Sequence, residues 1–193
     1  FVPGHEFAGS IVALGEGVRQ RKLGERGVIQ QIIPDDTTRA YKLAAPVCRC
    51  DHHEMGCELD GGMAEYCVLP ERNFLPIPDA VSFDEAAMVE PMSNAACCIW
   101  TADVQPLDTV VVVGPGPIGI LACKIAKLNG AGRVILVGTR DGRLALAQKG
   151  DFGVDHTVNI REPDAERYMA EELLSGRGAD VVMEASGTLS ALE

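Results

Sequence analysis

The chain has 193 residues, 47% hydrophobic and 23% charged, a globular composition with enough length for one large or two small cores. A formal net charge of −11 argues against nucleic acids and anionic membrane surfaces, because phosphate contacts require clustered Lys and Arg. No apolar run approaches the roughly 20 residues of a membrane helix. Seven cysteines, an odd number with no disulfide-framework spacing, point to a reducing cytoplasm.

Up to about residue 80 the signals are those of short strands in an irregular all-β unit. Apolar β-prone runs at 9–14, 27–33 and 63–69 are separated by Gly, Pro and Asp turns, of which Gly15-Glu16-Gly17 and Asp60-Gly61-Gly62 are the tightest. Ser82-Phe83-Asp84-Glu85 is a capping box, in which the Ser caps a backbone N–H and the Glu reaches back. An Ala-rich helix follows through Met88, interrupted or bent near Pro91, and runs on toward Trp100. Cys97 and Cys98 fit as small core residues of that helix, as does Cys123 further on.

From Asp108 the period alternates as βαβα, the pattern of a parallel sheet. Strands are expected at 109–113, 133–137, 156–160 and 179–185, with helices at 118–129, 143–148 and 166–174. His156 falls on a strand edge with no ligand role. The fold class is therefore α/β: an irregular β domain over residues 1–103, then a partial doubly wound parallel sheet over 104–193. The chain begins at Phe1 rather than Met and stops at Glu193 inside an incipient helix. Both ends read as cut.

The firmest motif is Gly114-Pro115-Gly116-Pro117-Ile118-Gly119, which follows four valines and opens an amphipathic helix. Gly114 permits the tight turn, Gly116 lets backbone approach a pyrophosphate, and Gly119 allows close helix–strand packing. Pro117 and Ile118 begin the helix whose free N–H groups face the phosphates. After the second strand comes Gly138-Thr139-Arg140, with no acid until Asp141. An acidic residue there would bind the ribose 2′-OH, whereas small residues and an Arg suit a 2′-phosphate. NADP is therefore favoured over NAD, the alternative being NAD held through backbone contacts.

Gly4-His5-Glu6-Phe7-Ala8-Gly9 sets an imidazole beside a carboxylate ahead of a strand. Together with Val12 to Val18, Leu23-Gly24-Glu25-Arg26, 60–66, Val89-Glu90-Pro91, the glycine turn and 178–187, it resembles the zinc-dependent medium-chain dehydrogenases. These include the alcohol, polyol and threonine enzymes. The resemblance covers nearly the whole chain and implies a GroES-like catalytic domain followed by a Rossmann domain. It assigns His5, Glu6 and Glu90 to a single catalytic zinc, with Glu at position 90 typical of polyol and threonine types. Zinc would polarise the oxygen of a small alcohol or polyol substrate, which then releases hydride to NAD(P). The family's first zinc ligand, a Cys with a nearby Ser or Thr relay, lies upstream of the Gly-His-Glu block, so the chain reads as an inactive internal fragment.

The four-cysteine structural zinc lobe of some relatives should follow Ile33-Pro34. Asp35-Asp36-Thr37-Thr38 stands there instead, and only Cys48 and Cys50 remain near the lobe's end, so that site looks lost. The run from Cys48 to Cys57 carries enough thiol, imidazole and carboxylate groups to bind a metal, but its spacing matches no standard zinc pattern, and the favoured reading is a solvated loop with unpaired thiols. The resemblance further implies a homo-dimer or homo-tetramer. Two other readings remain: a zinc-free quinone or enoyl reductase of the same superfamily, and a dinucleotide-binding protein without catalysis.

Overall fold

The computed structural model describes residues 1–34 and 52–191. Its contacts divide the chain into two compact units, Phe1–Glu90 and Pro91–Glu193. The Cys48–Cys50 region and the residues just after Pro34 lie outside the described part.

In the first unit, strands β1 (Ala8–Ser10), β2 (Arg26–Ile29) and β5 (Phe74–Pro76) form an antiparallel sheet in the order β1-β2-β5. A second antiparallel pair joins β3 (Ile32–Pro34) to β4 (His52–Glu54). The apolar run at 27–33 is thus two strands rather than one. The break falls at Gln30 and Gln31, and buried Asn73 is what makes it. Its side-chain amide donates to the carbonyls of Gln30 (2.7 Å) and Ile32 (2.8 Å), and its own carbonyl accepts from Gln30 N–H (2.8 Å). Two backbone groups that a continuous strand would offer to a ladder are satisfied here by one side chain.

Residues 63–69, expected as a strand, contain no assigned strand. At its start Met63 N–H donates to the Pro3 carbonyl (3.0 Å), and Met63, Tyr66 and Val68 are left exposed, so no buried face holds an extended ladder. Asp60-Gly61-Gly62, expected as a tight turn, is not one either. It runs alongside the N-terminal segment, with Gly61 N–H donating to Val2 (2.6 Å) and Gly62 N–H to Gly4 (2.8 Å). The capping box at Ser82 forms as read: Ser82 Oγ accepts from Glu85 N–H (3.2 Å), and Glu85 Oε2 accepts from Ser82 N–H (2.8 Å). Those bonds hold the Glu85 carboxyl below its ordinary value.

Helix α1 (Phe83–Ala87) ends at Met88, and α2 (Val89–Thr101) starts at once. Pro91 stands in the first turn of α2, where backbone N–H groups have no intrahelical acceptor in any case. The interruption therefore precedes the proline. Ala95, Ala96 and Ile99 of α2 enter the core of the second unit. Cys97 and Cys98 fall off that apolar face and are exposed, contrary to the expected core role; Cys123 alone of the three is buried. Burial pushes the Cys123 thiol up to about 12.

The second unit is a parallel sheet of β6 (Thr109–Val113), β7 (Arg133–Gly138), β8 (His156–Asn159) and β9 (Val181–Glu184), in the order β8-β7-β6-β9. Near-continuous apolar runs are what such strands need, because helices cover both faces. Val110, Val112, Val134 and Leu136 pack beneath α3 (Pro117–Leu128) and α4 (Asp141–Lys149). Val111, Ile135, Val137 and Val158 pack against α5 (Ala165–Tyr168) and the π-helical turn that continues it through Leu173. This strand order reverses between β6 and β9, and a crevice at the carboxyl ends of such strands is where doubly wound sheets bind ligands.

Replacing Asn73 by Ala leaves the Gln30 and Ile32 carbonyls unpaired in a buried place. The expected cost is about 1–3 kcal/mol, seen in urea as an earlier transition of the first unit with the second unit's transition unmoved.

Candidate metal centre and cofactor cradle

His5 and Glu6 sit on the short segment that leads into β1, and three glycines fix it there. A Cβ on Gly61 or Gly56 would overlap the Gly4 carbonyl oxygen, and a Cβ on Gly62 would enter the Phe7 ring. Main chain therefore meets main chain without intervening side chains. The hydrogen bonds from Gly61, Gly62 and Met63 to Val2, Gly4 and Pro3 close the contact. Beside it lies a cavity of about 320 Å³ lined by Gly4, His5, Glu6, Phe7, Gly62 and Met63.

Ligand atoms of His5, Glu6 and Glu90 lie within 4.8 Å of one another. All three belong to the first unit. Glu90 is in the first turn of α2, and its Oε1 accepts from Gln31 Nε2 (3.0 Å). Gln31 is available for this because the strand breaks at that residue. One imidazole nitrogen and two carboxylates suit zinc, which takes His N and Asp/Glu O donors and keeps an open position in catalytic sites. The donor set fits the ion.

A second group shares His5. Ligand atoms of His5, Glu54 and Cys57 also lie within 4.8 Å of one another, with Cys57 Sγ 3.9 Å from His5 Nδ1. The Cys57 thiol is raised by desolvation first and by the Glu54 carboxylate second. Next to it, His53 Nδ1 lies 3.3 Å from Glu58 Oε2. Sequence spacing within 48–57 suggested no zinc pattern. The partner that completes this group stands some 50 residues away in the chain.

In the second unit Gly114 has φ +115°, a conformation that side chains rarely adopt, and a Cβ there would meet the Ala185 and Ser186 backbone at 2.6 Å. A Cβ on Gly119 would overlap the Gly114 carbonyl. Gly116, by contrast, faces open space and caps α3 without a side-chain bond, with Pro117 at the first helical position. The N-terminal amides of α3 around Ile118 are therefore oriented toward an open cradle. Gly138 is buried against the Pro115 ring, while Thr139 and Arg140 are exposed at the start of α4. Asp141 accepts from Asn159 Nδ2 (2.5 Å), so the nearest acid is already tied to β8.

The loop after β9, whose backbone at Ala185 and Ser186 lies against Gly114, is pinned by Glu184. Its carboxylate accepts from the Ser186 amide (2.6 Å), the Ser186 hydroxyl and the Gly187 amide (3.1 Å). These bonds, the Ser186 hydroxyl foremost, hold the Glu184 carboxyl below its ordinary value. The block 178–187 carries family resemblance in the sequence, but nothing local in it marks this loop as part of the cradle. It becomes so because β9 pairs with β6.

Residues 1–79 match the alcohol dehydrogenase GroES-like domain, and residues 117–193 match the zinc-binding dehydrogenase domain. The chain belongs to the zinc-type medium-chain dehydrogenases. It is 35% identical over 189 residues to a sorbitol dehydrogenase of Halalkalibacterium halodurans, a match covering 97% of this chain and 54% of that protein. A solved alcohol dehydrogenase of Escherichia coli CFT073, described as short chain and complexed with NADH, superimposes with a TM-score of 0.84 at 32% identity. That match covers 98% of this chain and 55% of the other. A zinc-binding dehydrogenase of Sinorhizobium meliloti 1021 bound to NADP gives 0.86 at 30% identity, covering 99% and 56%. The chain thus spans about half the length of the family members it matches. The family's two-part α/β architecture, GroES-like and then Rossmann, is the one expected from the sequence. Among the described residues no helix is long and apolar enough to cross a membrane.

The lowered Glu184 carboxyl predicts a pH signature. A depressed carboxyl contributes stability that is present above its ordinary value and lost as pH falls through the lowered one. Ser186→Ala should move the Glu184 side-chain titration upward in carbon-13 NMR, and the loop should loosen at correspondingly higher pH.

Proposed function

We propose that this chain carries the metal and cofactor machinery of a zinc-dependent oxidoreductase that moves hydride between a secondary alcohol or polyol and NAD(P). The observation that carries the reading is the convergence of His5, Glu6 and Glu90. His5, Glu6 and Glu90 hold the ion. Gln31 is a positioning residue: its amide fixes which way the Glu90 carboxylate faces. When bound, zinc supplies Lewis-acid polarisation of the alcohol oxygen, and the nicotinamide accepts the hydride. Sorbitol oxidation by a similar protein supports a polyol-class substrate.

The second unit takes the dinucleotide. The amides at Gly116, Pro117, Ile118 and Gly119, less the proline that lacks one, face the pyrophosphate, while Gly114 keeps the turn tight and Gly138 keeps Pro115 close. One similar structure holds NADH and another NADP, so family membership leaves the choice to local residues. Thr139 and Arg140 are exposed, and Asp141 is engaged with Asn159. That arrangement favours a 2′-phosphate, and with it NADP. Functionally, residues 1–103 form the catalytic domain and 104–193 the dinucleotide domain. The protein works in the cytoplasm, in keeping with free cysteines at 57, 67, 97, 98 and 123, and assembles as a homo-dimer or homo-tetramer.

Two measurements check this. In a Cys57→Ser background, which removes the second donor group around His5, Gln31→Ala should weaken zinc binding by about 10- to 100-fold in competition with a chromogenic chelator, and Glu90→Gln should weaken it further. Zinc affinity indifferent to both changes sinks the metal assignment. In fluorescence titrations, Arg140→Ala should weaken NADPH by about 10- to 100-fold, the worth of a charge-assisted phosphate contact, and leave NADH unchanged. A wild-type preference for NADH overturns the NADP assignment.

A further inference from the structure

Glu54 and Cys57 have no part in the site proposed above, yet a rigid piece of backbone holds them against it. The Glu54 carbonyl accepts from the N–H groups of Cys57 (3.3 Å), Glu58 (2.9 Å) and Leu59 (3.1 Å), which curls residues 54–59 into a tight turn. Met55, almost fully buried, donates its N–H to the Gln31 carbonyl (3.0 Å). Gly56 has φ +79° and rests on the Gly4 carbonyl so closely that no side chain fits between them. The turn is therefore clamped to the segment that carries His5, from one side by Gly4 and from the other by Gln31.

The consequence is a thiol, a carboxylate and an imidazole facing one another. With a zinc–sulfur bond of about 2.3 Å and a zinc–nitrogen bond of about 2.05 Å, tetrahedral geometry sets sulfur and nitrogen roughly 3.6 Å apart. Cys57 Sγ and His5 Nδ1 are 3.9 Å apart. The pair needs only a few tenths of an ångström to close on an ion. Sulfur, nitrogen and carboxylate oxygen together select a borderline-soft cation such as Zn²⁺ or Co²⁺ over Mg²⁺ or Ca²⁺.

We propose that His5, Glu54 and Cys57 form a second, thiolate-bearing metal position that alternates with the one at His5, Glu6 and Glu90. A neutral imidazole offers one unprotonated nitrogen, so the two positions compete for His5 and the chain holds one ion in either place. On binding, the Cys57 S–H bond breaks, the sulfur–metal bond forms, and the proton passes to buffer; no electron is transferred. The alternation rests on the zinc reading above, whereas the Glu54–Cys57 position does not.

Titration of the metal-free 193-residue chain with Co²⁺ tests this, because a thiolate–cobalt bond adds a near-ultraviolet charge-transfer band that nitrogen and oxygen donors do not. The wild type should bind one Co²⁺ and show the band. Cys57→Ser should lose the band but still bind one Co²⁺ at the Glu6–Glu90 position. Glu90→Gln should keep the band and strengthen it as the ion shifts toward sulfur. A band that survives Cys57→Ser, or is missing from the wild type, overturns the second position. A band lost in Glu90→Gln overturns the alternation, since Cys57 and Glu90 would then serve one site. Cobalt binding lost in Glu90→Gln but band-positive in wild type would count against separate positions, whereas a Cys57-dependent band with no effect of Glu90 would sink the zinc reading and leave this one standing.

Discussion

Close approach of backbone to backbone around Gly4 is the constraint on which the first unit depends. Gly56 and Gly61 rest against its carbonyl, Gly62 against Phe7, and three amides of the 61–63 stretch donate to carbonyls of residues 2–4. A single methyl group at any of these positions would force the strands of chain apart by more than a side-chain rearrangement absorbs. What the clamp secures is the direction of His5. That residue lies on an extended segment with no helix or long strand of its own, so precision has to come from its neighbours.

The break at Gln30 and Gln31 shows the same economy. Asn73 takes over hydrogen bonds that a straight strand would have given to a ladder. The bent chain then turns Gln31 to Glu90 through its side chain and to Met55 through its carbonyl. One local deviation thus ties three remote stretches of sequence to the candidate metal centre. In the second unit the corresponding constraint is the glycine turn, where Gly119 lies on the Gly114 carbonyl and Gly114 lies on the backbone at Ala185. Helix, turn and the loop after β9 can close on one another only because side chains are missing at the contacts.

Much of this was legible in residue order alone. Four valines before Gly114, the glycine spacing and the change from period 2 to period 3.6 identify a doubly wound sheet, because each signal is local and has one physical source. The capping box at Ser82 is similarly local, and it formed as read. His5, Glu6 and Glu90 were singled out by resemblance, and the fold brings their ligand atoms together.

Other features depend on partners far away in the chain, and pattern is silent about those. The sequence determined which segments are strands or helices where apolar period and turn chemistry agree, and it determined the glycine cradle. Only tertiary structure decided that 63–69 runs without a strand partner, that Cys97 and Cys98 turn away from the core, and that Asn73 splits a strand. It also decided that Glu54 and Cys57 meet His5. The physical reason is common to all four. Whether a backbone amide, a thiol or a carboxylate finds a partner depends on packing between segments some 40 to 60 residues apart, and no local period encodes that distance.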